Sequence, residues 1–240
     1  HENVHKFWHK KSITDFFKKL FNEPFLMHPK IVIRNSYKNT FTPAHQDWPQ
    51  VQGSKNTVGV WIALNDVGKN EGVLEIAESS HKEGIRNHIP SKITGGLSLD
   101  DKKFKWLSTN MKMGDAIIFS CLTVHRTSKN KSDVVRQSID ARFQPLKEEI
   151  CIESLEPFIQ DSWRNIYSGW KDKDKKWYWK KYNLKFEEFD NYFEIVNSLQ
   201  ILNKYKTNTK LWTPALNRVI TRAPSMHIKN LAREMLDETI

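Results

Sequence analysis

Between residues 29 and 145 the chain reads as short β-branched and aromatic runs separated by turns, with no helix-length pattern among them. The runs are HPKIVIRNSY, TVGVWIAL, VLEIAE, AIIFSCLTV and VVRQSIDARFQP, the last stopped by Pro145. Turn-forming residues punctuate them, NDVGKNEG after Leu64 and Gly114-Asp115 before Ala116. Strands that follow one another without crossover helices argue against a doubly wound parallel sheet. They favour an antiparallel barrel or jelly roll. With 240 residues, 38% of them hydrophobic, the chain can bury a substantial core and is globular in composition.

Around that β region the expected organisation is a core over 1–150 and an extension over 151–240. KSITDFFKKLFN, residues 11–22, sets Phe16, Phe17, Leu20 and Phe21 at helical spacing behind Ser12 or Thr14 as cap. Residues 81–110 are polar, with Pro90 and Gly95-Gly96, and read as an insertion or lid. The 151–240 stretch is aromatic and Lys-rich. Its Trp163, Trp170, Trp177 and Trp179 are expected in a helical layer packed on the core, in preference to a nucleic-acid stacking platform.

Side chains alternate across a strand. In the last run, Arg136, Ser138, Asp140 and Arg142 therefore share one face, opposite Gln137, Ile139, Ala141 and Phe143. A face with two Arg and one Asp is costly to bury unless it meets ligands or partners. It is either solvated or lines a barrel that holds an anion, with Arg142 and Asp140 paired or facing substrate.

A second polar stretch is PAHQDWP, residues 43–49. If it is extended, His45 and Asp47 point to one side, stiffened by the prolines. Two His and one carboxylate suit non-haem Fe(II), but HxD alone is a weak signal and needs a third ligand. His1, His5 and His9 lie in a terminal stretch where a surface role is expected, His28 precedes a strand, His88 sits in the lid and His227 in a helical tail. His125 follows the buried run AIIFSCLTV and precedes the last strand, where barrel closure would bring it to His45.

HQD, then VWIALNDVGKNEGVLEIAESSH, then GDAIIFSCLTVHRTSKNKSDVVR resemble the phytanoyl-CoA dioxygenase family of Fe(II)/2-oxoglutarate oxygenases over about residues 29–145. Glu78-Ser79 stand where that family commonly has Pro-Gly. The resemblance implies a double-stranded β-helix, a jelly roll with flanking helices, and an iron triad of His45, Asp47 and His125. It implies that Arg136, eleven residues after His125, binds the distal carboxylate of 2-oxoglutarate, a planar fork for a carboxylate. Thr127 and Trp61 match positions that touch this cosubstrate, and His81, in the family's GSH element, is expected to be structural and not a ligand. Halogenating members carry Ala or Gly in place of Asp47, so the reaction implied is hydroxylation of an unactivated C–H bond, with succinate and CO2 released. Fe(II), 2-oxoglutarate and O2, with ascorbate as reductant, are the cofactors implied. Gln46, Trp48, Gln52, Arg126 and Arg142 are the candidate substrate residues.

Two other classes compete. A cupin-like metal-binding protein would need the three ligands but not Arg136 and Thr127. A nucleic-acid alkyl-repair dioxygenase also carries two Arg six residues apart, yet the formal charge of +10 is spread along the chain instead of forming a basic groove. A small polar or anionic substrate is expected, with no nucleic-acid or membrane partner, since no apolar run nears the ~18–20 residues of a span. Two cysteines without a CxxC motif fit a reducing compartment, the cytoplasm. The chain does not start with Met, and further N-terminal residues are expected.

Overall fold

The computed structural model describes residues 2–86, 88–90, 97–100, 102–157, 162–187, 213–222 and 226–237. In order, the chain forms α1 (Glu2–Trp8), α2 (Lys11–Phe21), β1 (Phe25–Met27), β2 (Val32–Ser36), α3 (Trp48–Val51), β3 (Val58–Ala63) and β4 (Leu74–Ala77). There follow β5 (Ile89–Pro90), β6 (Leu97–Ser98), β7 (Trp106–Leu107), β8 (Ala116–Ser120), β9 (His125–Thr127) and β10 (Arg136–Pro145). Beyond the sheets lie β11 (Ile150–Cys151), α4 (Trp163–Ile166), β12 (Phe186–Glu187), α5 (Thr213–Arg222) and α6 (Met226–Asp237).

The architecture is a mainly β jelly roll of antiparallel sheets. The larger sheet runs β1-β10-β3-β8, and the smaller runs β7-β4-β9. The ten-residue β10 is the spine. One edge pairs with β1 through Phe143–Pro145 and with β2 through Arg136–Asp140, while the other pairs with β3. Neighbours in both sheets are far apart in sequence, so the pairing is made by long-range contacts and not by tight hairpins.

The apolar face of β10 makes the main core. Ile139, Ala141 and Phe143 pack with Val60, Met27, Trp8 and Phe17, so α1 and α2 cover the larger sheet. Phe143 stacks on Phe17 with ring centroids 3.7 Å apart, and the edge of Trp8 meets it at 5.9 Å. The α2 amphipathicity is as expected in kind but narrower: Phe17 is buried, whereas Phe16 and Leu20 are exposed. Neither Ser12 nor Thr14 caps α2. The helix starts one residue after Lys10, whose carbonyl accepts from Ile13 and Thr14, because the turn after α1 already sets the chain there.

Three expectations are corrected. Of the N-terminal histidines, His1 lies outside the described residues, His9 is half-buried, and His5 is not on the surface. His5 is buried among Trp163, Tyr167, Trp170 and Tyr178, and His9 Nδ1 donates to the His5 carbonyl. Residues 81–110 are not merely a lid, because β7 joins the smaller sheet beside β4 and Leu99 packs with Ala44, Ala77 and Val124. Residues 87, 91–96 and 101 of that stretch lie outside the described residues. The aromatic segment packs on the core through Leu26, Ile150 and Leu155, but as a four-residue α4 and short 3-10 turns, not as a helical layer. Its rings interlock with one another, Trp163 on Tyr167 and Tyr167 on Trp170, and that packing overrides helical periodicity. Residues 158–161, 188–212, 223–225 and 238–240 of the expected extension lie outside the described residues, and α5 packs against α6.

Phe143→Ala should cost ~3–5 kcal/mol, since it empties the space between Trp8 and Phe17. Urea unfolding followed by tryptophan fluorescence would measure this loss.

Candidate functional site

Two backbone bonds bring the first ligand pair together. His45 N donates to His125 O at 3.0 Å and His125 N to His45 O at 2.9 Å, an antiparallel bridge that sets the two rings 4.2 Å apart. Asp47 arrives differently from the sequence expectation. It is not extended but stands at the N-cap of α3 with φ −73° and ψ −31°, followed by Trp48 and Pro49 in the first turn. The strand rule is therefore not what aligns His45 with Asp47. A bridge and a helix start converge on the same point.

Asp47 Oδ1 lies 3.7 Å from Nε2 of His45 and 3.7 Å from Nε2 of His125. All three residues are buried, and their donor atoms are close enough to share one ion. Each imidazole is oriented from behind: Nδ1 of His45 lies 2.8 Å from Pro43 O, and Nδ1 of His125 lies 3.0 Å from Thr123 O. A carbonyl can only accept, so both Nδ1 atoms carry the proton and both Nε2 lone pairs face Asp47. Burial, then the neighbouring His125, lowers His45 to about 3, and burial likewise lowers His125. Burial alone would raise Asp47. The Arg142 guanidinium beside it outweighs that and holds the carboxylate below its usual range. Two neutral imidazoles and one carboxylate are the donor set a divalent transition metal takes, so the residues fit iron.

The triad borders a narrow cavity of about 30 Å³, lined among others by Arg34, Thr42, Trp61, Phe119 and Thr127. Thr127 is buried, and its Oγ1 accepts from Thr42 N at 2.8 Å, which leaves its own proton to give. Arg136 is 2% exposed, stands 5.5 Å above the Trp61 ring and donates from Nη1 to Ser138 Oγ at 2.9 Å. Its Nε has no partner, and burial lowers the guanidinium to about 10, still charged at neutral pH.

The candidate substrate residues fare unevenly. Gln46 is fully buried: its Nε2 donates to Gly84 O and Leu122 O, and its Oε1 accepts from Arg86 N. It therefore latches residues 84–86. Trp48 donates to Gly53 O and Gln52 to Pro49 O, so both brace the turn after α3. That turn needs Gly53, whose φ is +65° and whose absent Cβ would lie 2.7 Å from Glu149 O. Arg126 borders the cavity, but its Nε donates to Glu75 and its guanidinium stacks 4.0 Å from Trp106. Arg142 donates to Asp47, not to Asp140. Asp140 instead pairs with Arg34, a residue that sequence reading missed. No local pattern marks Arg34, since its partner is 106 positions away across the β2–β10 register.

His88 is buried rather than displayed by a lid: its Nε2 accepts from Gln46 N at 3.2 Å. In the element containing His81, the structural role falls on Ser80, whose hydroxyl bonds Ala77 O and Val124 N. Ser79 adopts φ 57°, a left-handed conformation that suits the Gly expected there.

The phytanoyl-CoA dioxygenase (PhyH) family matches residues 1–138. The 1-deoxypentalenic acid 11-beta-hydroxylase of Streptomyces arenae is 26% identical over 181 residues, 68% of this chain and 64% of that protein. Peroxisomal phytanoyl-CoA dioxygenase of Bos taurus is 27% identical over 157 residues, 59% of this chain and 46% of that protein. The chain thus spans less than two thirds of the length of these relatives. Among solved structures, EvdO2 from Micromonospora carbonacea var. aurantiaca, complexed with 2-oxoglutarate, superposes with a TM-score of 0.49 at 16% identity, covering 67% of each chain. None of the described helices is long and apolar enough to cross a membrane.

His45→Ala and His125→Ala should each abolish stoichiometric Co(II) binding in isothermal titration, whereas His81→Ala should leave it intact. Gln46→Leu should destabilise by ~1–3 kcal/mol, because it orphans buried backbone groups. Hydrogen exchange should then speed up at the Arg86 amide.

Proposed function

We propose that this chain, which belongs to the phytanoyl-CoA dioxygenase family, is an Fe(II)- and 2-oxoglutarate-dependent oxygenase that hydroxylates an unactivated C–H bond of a small polar or anionic metabolite. The observation that carries the reading is Arg136. It is a buried guanidinium with one N–H unpartnered and no ion pair among the described carboxylates. Burying an unpaired cation is expensive, so such a group calls for an anion to complete it. A metal-binding barrel without a cosubstrate would have no use for it.

His45, Asp47 and His125 would hold the iron. Iron bound there would supply the redox chemistry by which 2-oxoglutarate and O2 become succinate and CO2 while one oxygen atom enters the substrate C–H bond. The chain's own residues do the positioning. Arg136 offers its free Nε–H to the distal carboxylate, and Thr127 offers its hydroxyl proton. The Trp61 ring beneath Arg136 keeps water from that guanidinium, which strengthens the pairing. Asp47 supports hydroxylation over halogenation, because a carboxylate occupies the place a halide would need. Hydroxylation is also what the name of the Streptomyces arenae relative states for that protein. Arg34 and Thr42, at the cavity wall, are better substrate candidates than Gln46, Trp48 or Gln52. Ascorbate would serve as the reductant, and two buried free thiols fit a cytoplasmic setting.

Anaerobic addition of Fe(II) and 2-oxoglutarate should produce a metal-to-ligand charge-transfer band in the visible. Its absence from the wild-type protein would sink the oxygenase reading. Arg136→Ala should weaken 2-oxoglutarate binding by at least ~30-fold, the lower end of the ~2–5 kcal/mol for losing one member of a buried charge pair. Undiminished binding in that variant would sink the Arg136 assignment alone.

A further inference from the structure

The Asp47 carboxylate is divided between two kinds of partner. Its Oδ2 accepts from Arg142 Nε at 3.2 Å and from Arg142 Nη2 at 3.1 Å. Its Oδ1 is the atom that faces both imidazoles. Both residues are buried, Arg142 at 8% exposure and Asp47 at 6%. The neighbouring strand accommodates this contact. Arg142 pairs in register with Gly59 on β3, and a Cβ at Gly59 would already stand 3.6 Å from Asp47 Oδ2. A longer side chain there would enter the space where carboxylate and guanidinium meet.

We propose that Arg142 is a positioning residue of the metal centre, holding Asp47 Oδ2 so that the carboxylate presents only Oδ1 to a metal. The inference rests on the metal-centre reading above. A free carboxylate can grip a divalent ion through one oxygen or through both. Two charge-assisted hydrogen bonds on Oδ2 remove the second mode and fix the rotation of the group. One oxygen fewer on the ion leaves one position more for exchangeable ligands, which catalytic sites keep and closed structural sites do not. Arginine suits the task because its planar N–H groups converge on one atom, whereas an ammonium would hold the oxygen as a point charge. The guanidinium charge also repels a cation nearby. The fixed ligand geometry is expected to outweigh this, as partners behind metal ligands commonly contribute about 10–100-fold in affinity.

Co(II) is the probe, since its d–d absorption reports coordination number and its titration gives affinity. In the full chain, Arg142→Gln should weaken Co(II) binding by about 10–100-fold and alter the intensity of the d–d bands as the second oxygen joins. Arg142→Lys should fall between the two, and it carries the same comparison if the Gln variant does not fold by near-UV circular dichroism. In an Asp47→Gly background, Arg142→Gln should cause no further loss, because its effect passes through Asp47. Unchanged affinity and spectrum in both Arg142 variants would overturn the inference, and so would an equal loss in the Asp47→Gly background. Wild-type protein that bound no Co(II) would overturn the metal-centre reading, and this inference with it.

Discussion

The molecule depends on one strand meeting opposite demands on its two faces. β10 gives Ile139, Ala141 and Phe143 to the core beneath α1 and α2, and it gives Arg136, Ser138, Asp140 and Arg142 to the barrel interior. Period-two alternation allows no compromise, because a slip of one residue would exchange the faces and bury four polar groups against Trp8 and Phe17. The pairing of both edges of β10, with β1 and β2 on one side and β3 on the other, holds that register.

Inside the barrel the charges sort themselves by pairing. Arg34 takes Asp140 and Arg142 takes Asp47, which leaves Arg136 without a carboxylate partner among the described residues. Each pairing removes a cost that burial would otherwise impose. The one guanidinium left over stands on the same strand as Arg142, four and six positions from the two residues already engaged. Among the described residues, the interior thus keeps one buried guanidinium for which no carboxylate partner is present.

Much of this was legible beforehand. The strand series from residue 29 to 145, the turn at Gly114-Asp115 and the two-faced last strand follow from alternation and turn chemistry, which act over a few residues. His45, Asp47 and His125 were legible as a set only because the HxD, the later His and the Arg after it form a pattern together. The misreadings arose where packing decides. His5 looked like a terminal, solvated residue, yet four aromatic rings from 163–178 enclose it. The partners of Gln46 were equally hidden from local pattern, since its amide bonds Gly84, Leu122 and Arg86, about forty and seventy-six positions away.

The sequence by itself determined the class of fold, the donor types of the candidate metal centre and the presence of arginines on a face that must be satisfied. Those follow from local periodicity and from the donor atoms that each side chain carries. Only the tertiary structure decided which carboxylate each arginine holds, that Asp47 reaches the histidines from a helix start, and that one oxygen of Asp47 is already taken. Such choices depend on atoms about a hundred residues apart arriving within hydrogen-bond distance, as Arg142 and Asp47 do across 95 positions. Local pattern carries no information about that meeting.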